Sequence, residues 1–471
     1  MSWIPGSEAQ AAAAWGAFHH LRQDMAVSLR EWPVAPGLCA FEIRRHLEEV
    51  FTFRDSREAA DLVVEVAAML KQATVHVTHP RYFGLYIPSV RPVSVLAEAL
   101  AAQFNPQLAA WSHAPAANEI ERHTLAYLIT KLGLDAAIGG GCFTSGGMEA
   151  NLTGLLMALN HAFPTLRESG LLGVQGRPRF YVSEEAHHSF EKAARLTGLG
   201  LASLCRVPVD ATLRMDVAAV ERAIERDRRD GAVPFMLVGT AGTTGSGAID
   251  PLRALASLAD AQGLWFHVDA AWGGFARLSP LHRDHLDGIH LADSVTWDAH
   301  KGLAVPLGAG MFFCREREAM ARTFGLCTGY MPAAIDGTLE PYASSLQWSR
   351  RFIGLSVFMA LAELGDVGFA SQIEHQFRMG DTLRHYLEAS GWEVVNSTPL
   401  PILCFTRSGL PTTESGLDQI LAPLLARGKV WISRVLLPSK GWVLRACITS
   451  FLTDESDLKI LLDELDALRR F

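Results

Sequence analysis

Four short segments carry residue types that could do chemistry together. The first, GGGCFTSGGMEANLTGLLMALN from Gly139, reads as a glycine-rich turn entering an amphipathic helix that begins near Met148. Backbone amides at a helix start are free to bind an anion, and Gly146 and Gly147 let a phosphate approach closely. The segment lacks the Gly-Lys-Ser/Thr of a P-loop and the full glycine spacing and leading apolar strand of a dinucleotide site. It is either a phosphate cradle or a structural turn. The second segment, LWFHVDAAWGG, ends an apolar run on Asp269, with small Ala270 and Ala271 beside it. A carboxylate buried there must meet a cation or strong donor. A protonated pyridine nitrogen in a flat ring would serve, and a cap on the next helix is the alternative. The third, DSVTWDAHKGLAVPLGAGMFF, sets His300 and Lys301 between an apolar run and a glycine-containing stretch. Most lysines are solvated surface groups, but burial lowers an amine's pKa and makes it a nucleophile toward a carbonyl. In the fourth, YVSEEAHHSFEKAA, His187 follows another apolar run, where its imidazole could stack on a ring or simply start a helix, and His188 competes for the role.

These segments need a scaffold. From about residue 140 to 315, short apolar runs rich in β-formers recur between helical patterns: Pro178 to Ser183, Phe235 to Thr240, Leu264 to Asp269, Ser294 to Trp297 and Ala309 to Cys314. That rhythm predicts an α/β domain with a mostly parallel sheet, whose ligands sit beyond the carboxyl ends of the strands. Residues 1–92 read as a mainly helical segment, notably Ser56 to Gln72, and residues 93–364 as the large domain. Residues 365–471 read as a small α+β domain, with strands near Trp392 to Val395, Ile402 to Phe405, Val430 to Leu437 and Val443 to Ser450.

At 471 residues the chain exceeds what one core usually serves, and 49% apolar with 20% charged residues is ordinary globular composition. The net charge of −8, with basic residues scattered, argues against a nucleic-acid partner. The N-terminus lacks a basic flank and apolar run, which predicts a cytoplasmic protein. The uncharged stretch from Ala232 to Ile249 turns to Gly, Thr and Ser in its second half, so no membrane span is expected. Seven cysteines, at 39, 142, 205, 314, 327, 404 and 447, show no paired or CxxC spacing and predict reduced thiols. His282, His285 and His290 have no zinc-type geometry, and no metal is expected.

Taken together, TSGGMEAN, AHHSFEKA, GTTGSGAID, HVDAAWGG and DAHKG resemble the fold-type I (aspartate aminotransferase-like) pyridoxal phosphate (PLP) enzymes. Within these they are most similar to the group II amino-acid decarboxylases, a family of aromatic amino-acid, glutamate and cysteine sulfinate decarboxylases. The resemblance runs from about His79 to the C-terminal helix. It implies PLP held as a Schiff base on Lys301, Asp269 against the ring nitrogen, and His187 stacked on the ring beside Ala271. Gly146, Gly147 and Met148 would cradle the phosphate with help from His300 and Asp298, and Thr243 and Thr244 would lie near the ring face. Tyr330, in CTGYMP, matches a tyrosine on the family's mobile loop that protonates Cα after CO₂ leaves, while relatives with Phe there resemble oxidative aldehyde synthases. Tyr86, Ile87, Pro88 and Ser89 fall where the family lines its substrate pocket, and NPQLAAW where a partner subunit of a homodimer reaches in. Thr78 stands where aromatic decarboxylases tend to have Trp, and Ala109 where they have Phe, leaving the substrate open.

The expected reaction is decarboxylation of an L-amino acid to its amine and CO₂. The rivals are another fold-type I reaction, either transamination with Arg445 clamping the α-carboxylate or oxidative deamination, and a PLP-fold scaffold without activity. A scaffold would be expected to have lost Lys301 or Asp269, and both are present.

Overall fold

The computed structural model describes residues 8–37, 39–326, 328–331, 335 and 337–468, so Cys327 lies outside the described residues. A seven-stranded sheet forms the centre: β1 Gly140–Thr144, β2 Arg177–Ser183, β3 Leu204–Val207, β4 Ala232–Thr240, β5 Trp265–Asp269, β6 Ser294–Asp298 and β7 Gly310–Cys314. Its order is β1-β7-β6-β5-β4-β2-β3, and every pairing is parallel except the two made by β7. Strands β5, β6 and β7 are buried along their whole length, as a sheet covered on both faces requires. The period of two is visible in β7, where Phe312 and Cys314 enter one core and Met311 and Phe313 the other.

Two strands were not expected from the sequence. The start of the glycine-rich segment is β1, not turn. Its glycines answer close approach: a Cβ on Gly140 would stand 2.8 Å from the Arg317 Cα, and one on Gly141 2.7 Å from the Phe312 carbonyl oxygen. The edge strand β3 has only four residues and little pattern to read.

The C-terminal region carries a separate antiparallel sheet of β8 Glu393–Val394, β9 Ile402–Thr406, β10 Ser433–Leu437 and β11 Gly441–Cys447, in the order β10-β11-β9-β8. The extended segment after His79 is laid against it: the Phe83 N–H donates to the Trp431 carbonyl (2.8 Å) and the Cys447 N–H to the Phe83 carbonyl (3.0 Å). Helix Gly354–Ala389 is the one helix among the described residues long and apolar enough to cross a membrane. It is interrupted at Gly365 (φ 58°) and packs on helices Pro92–Phe104 and Pro115–Leu132.

That helix starts at a buried ion pair. Arg350 and Glu121, 6% and 3% exposed, lie 2.7 Å apart, and Glu121 Oε1 also accepts the Gly354 N–H at 3.0 Å. Arg350→Met leaves that carboxylate buried without its cation, so we expect stability to fall by about 3–5 kcal/mol. A urea titration checks this, and a loss below about 1 kcal/mol would show that the pair adds little.

Candidate active site

Five loops meet at one edge of the large sheet. The Gly146–Gly147 turn follows β1, His187 follows β2, Thr243 and Thr244 follow β4, Asp269 closes β5, and Asp298 to Lys301 end β6. All five strands run the same way, so their carboxyl ends share this edge. The structure thus brings together residues from 146 to 301.

Lys301 Nζ lies 3.0 Å from Asp298 Oδ2 and 5.8 Å from the centre of the Tyr86 ring. Asp298 is 2% exposed, its other oxygen has no hydrogen-bond partner, and the His300 Nε2 stands 3.7 Å away. His300 Nδ1 is likewise buried without a partner. A Cβ on Gly147 would come within 2.9 Å of Asp298 Oδ2 and 3.3 Å of the Ala271 Cβ. No larger residue fits without displacing that carboxylate. The turn itself, with Met148, is only half buried, so the first amides of helix Gly147–Ala162 stay accessible.

Asp269 is 4% exposed, accepting from the Ala271 N–H (3.0 Å) and Asn151 Nδ2 (2.9 Å). Among the described residues no Lys, Arg or His forms an ion pair with it. A buried carboxylate with neutral donors alone leaves room for one cation. His187 remains exposed and takes the Ser189 N–H on Nδ1 at 3.1 Å. Desolvation lowers its pKa; Asp269 and Asp298 pull it back up, and Lys301 and His188 push it down.

Other expected site residues have settled roles within the chain. Tyr86 is buried and stacked on Trp272 at 4.4 Å, and its hydroxyl donates to the carbonyls of Thr244 (2.8 Å) and Thr243 (3.3 Å). The Thr243 hydroxyl is 2.9 Å from Ser246 Oγ and accepts the Ala248 N–H, so it braces the turn, while Thr244 is half buried. Ser89 Oγ donates to the Thr78 carbonyl (2.6 Å) and lies 2.9 Å from Ser450 Oγ, which commits that hydroxyl; Ile87 is half buried. In NPQLAAW, Leu108 to Ala110 are buried in their own chain. His282 and His285 stack in line with Phe377, and no group of three metal-ligating side chains occurs among the described residues.

Tyr330 stands apart. It is 75% exposed, and the ring nearest to it is Trp348 at 6.1 Å. No hydrogen bond or ring contact joins it to Lys301, Asp269 or His187 among the described residues.

Two functional neighbours, Asn151 and His267, escape a sequence reading, and the fold supplies the setting of Arg445, the carboxylate clamp weighed for transamination. Arg445 on β11 is 2% exposed and donates to the carbonyls of Gly84 (2.8 Å) and Gly245 (3.2 Å), and its Nη2 is buried without a partner. Its guanidinium is 5.0 Å from the Tyr86 ring centre. Asn151 and His267 lie behind Asp269, 1% and 0% exposed. The spacing of Gly147, Asn151 and Gly154 on one helical face, and of His267 and Asp269 on one strand face, was the available signal.

Burial holds the His267 pKa down at about 4, although Asp269 pulls it up. The unfolded chain therefore takes up this proton first as pH falls, and stability is lost from about pH 6.5 to pH 4, by about 3 kcal/mol. His267→Gln cannot titrate and should flatten that part of the urea-midpoint profile. His79, lowered to about 3, titrates in both proteins and cancels in the comparison. Equal slopes for the two would rule out the buried neutral imidazole.

A mostly parallel sheet with a lysine, a buried carboxylate and a glycine turn at its carboxyl edge defines a PLP enzyme of fold type I. The Pyridoxal-dependent decarboxylase conserved domain matches residues 43–408. The chain belongs to that family, and its reaction is PLP-dependent decarboxylation of an amino acid to the amine. Among relatives, an aromatic-L-amino-acid decarboxylase of Bacillus atrophaeus is 31% identical over 82% of this chain and 81% of its own. An acidic amino acid decarboxylase of Mus musculus is 27% identical over 94% and 84%. The crystal structure of mouse CSAD superposes with a TM-score of 0.91, at 26% identity, covering 98% of this chain and 99% of that one.

Proposed function

We propose that this site decarboxylates an L-α-amino acid with Lys301 carrying PLP, Asp269 meeting the ring nitrogen and His187 lying on the ring face. The observation that carries the assignment is the pairing, on one sheet edge, of an amine 3.0 Å from Asp298 with a buried carboxylate, Asp269, that has neutral donors only. The unpartnered His300 Nδ1 and the open amides of the Gly147 turn, where helix Gly147–Ala162 starts, support a phosphate cradle there, with the Asp298 carboxylate engaged by Lys301. When bound, PLP supplies a ring that accepts the electrons of the breaking Cα–carboxylate bond.

The chain's own part is orientation and proton control. Asp298 holds the Lys301 side chain in place by its 3.0 Å contact. Arg445, a buried cation with no carboxylate of its own, offers Nη2 to the carboxylate of the substrate, and Tyr86 walls the same space. Tyr330 supplies the proton to Cα. Its identity as Tyr favours the amine over the oxidative product, and its position away from Lys301 fits a site completed by a second copy of the chain. Helices Glu8–Ser28, Ala40–Val50 and Ala59–Ala73 bury none of their residues in the single chain and leave Trp15 59% and Phe41 70% exposed, an apolar surface suited to a homodimer. The acidic surface balance and the composition fit a cytoplasmic protein without nucleic-acid or membrane partners.

The test is a panel of L-amino acids, aromatic, acidic and basic, incubated with the PLP-loaded protein while CO₂ and amine are recorded. We expect equal amounts of the two from one class. Keto acid without CO₂ would contradict the proposal, and aldehyde in place of amine would overturn the role given to Tyr330.

A further inference from the structure

Behind Asp269 runs a line of buried neutral groups. Asn151 Nδ2 donates to Asp269 Oδ2 at 2.9 Å, and also to Ser189 Oγ at 2.9 Å. Asn151 Oδ1 lies 3.1 Å from His267 Nε2, and His267 Nδ1 lies 2.8 Å from Ser294 Oγ. Trp265 Nε1 donates to that same Ser294 oxygen at 2.8 Å.

The chemistry of the two ends fixes every direction. An indole N–H can only donate, and a carboxylate can only accept. Ser294 accepts from Trp265 and keeps a second lone pair, so the His267 tautomer is set by the other neighbour, Asn151 Oδ1, which can only accept. The proton of the neutral imidazole then sits on Nε2 and is given to Asn151 Oδ1, with Thr296 Oγ1 a weaker contact at 3.3 Å. Turning the amide over would set its oxygen against the Asp269 carboxylate, so Nδ2 must face Asp269. From Trp265 through Ser294, His267 and Asn151 each hydrogen bond points toward the carboxylate, the second Asn151 N–H going to Ser189, and successive bonds of this kind polarise one another. His267 stays uncharged because burial lowers its pKa to about 4, so the line brings donors without a competing cation.

One helix ties this line to the phosphate turn. Helix Gly147–Ala162 begins at the cradle, presents Asn151 one turn later, and one turn beyond that carries Gly154, where a Cβ would stand 2.8 Å from the His267 ring. The missing side chain lets the helix sit close enough for Asn151 to reach both neighbours.

We infer that Asn151 and His267 are positioning residues that hold the Asp269 carboxylate correctly turned, and so set the protonation of the bound cofactor's ring nitrogen. The inference rests on the reading of Asp269 as partner of that nitrogen. It differs from a packing role, because a directed line of donors acts on charge.

The test uses full-length protein reconstituted with PLP labelled with ¹⁵N in the ring. The ¹⁵N shift and the dissociation constant for PLP are compared in wild type, Asn151→Ala, His267→Leu, His267→Gln and Asp269→Ala. Glutamine can place a donor where Nε2 stands and serves as the conservative replacement. In Asn151→Ala and His267→Leu we expect the resonance to move toward the unprotonated ring and PLP to bind roughly tenfold more weakly, as for other groups that orient a ligating side chain. His267→Gln should stay near wild type in both. An unchanged shift and affinity in Asn151→Ala and His267→Leu, with Asp269→Ala altered, would overturn this inference alone. An unchanged shift in Asp269→Ala would overturn the reading of Asp269 beneath it. If His267→Leu fails to fold, Asn151→Ala carries the decision, since alanine keeps the helix and removes only the amide.

Discussion

Replacing Lys301 with alanine should lower decarboxylation by at least about three orders of magnitude and leave a folded protein. The side chain contributes one amine at the end of β6, and its only ion-pair partner among the described residues is Asp298, at 3.0 Å. Removing it takes away the amine we propose to form the covalent link to PLP, but little packing, because the residue is half buried at an open edge. Borohydride treatment should fix PLP to the wild-type chain and not to the variant, as intact-mass measurement reads directly. Wild-type protein left unmodified by borohydride, or a Lys301→Ala variant with activity within tenfold of wild type, would remove Lys301 from the role. Lys301→Arg should not rescue, since a guanidinium stays protonated and is no nucleophile.

The second large effect is expected at Tyr330. Tyr330→Phe deletes one hydroxyl from a residue already 75% exposed, so stability should not change. Amine formation should fall by about 10²–10⁴, the range that a positioned general acid supplies, and in air aldehyde and ammonia should appear in its place, with dissolved O₂ as the oxidant reduced to hydrogen peroxide. The geometry gives a sharper version. Because Tyr330 makes no contact with Lys301 in its own chain, a homodimer built across the interface would let a Lys301→Ala subunit lend its Tyr330 to a Tyr330→Phe subunit. Neither variant alone should be active, yet co-expressed hybrids should regain up to half of one wild-type dimer's activity. Hybrids as inactive as their parents would place the tyrosine's action within a single chain or dismiss the dimer.

Much of the site was legible because each residue sits at a punctuation mark in the chain. Asp269 closes and Lys301 follows an apolar run that reads as a buried strand, and Gly146 and Gly147 stand where a strong helix begins. Periodicity therefore put them at the carboxyl edge without any knowledge of strand order. The glycine-led β1 was misread because its strand character comes from neighbours, Arg317 and Phe312, that close on it from far along the chain. The hydroxyls of Thr243 and Ser89 looked available to a ligand, and turn and loop packing has engaged both.

The amino-acid sequence by itself determined the residue types, their order and the class of chemistry, because local pattern places a side chain at the end of a strand or the start of a helix. Tertiary structure alone decided which groups meet. It gave Asp269 a line of donors from a helix and two strands, and left Arg445 a buried cation with a free Nη2. It also held Tyr330 away from the site of its own chain. The bonds of Asn151 to Asp269 and of Arg445 to Gly84 join residues more than a hundred positions apart, and no local pattern encodes the packing that brings them within hydrogen-bond distance.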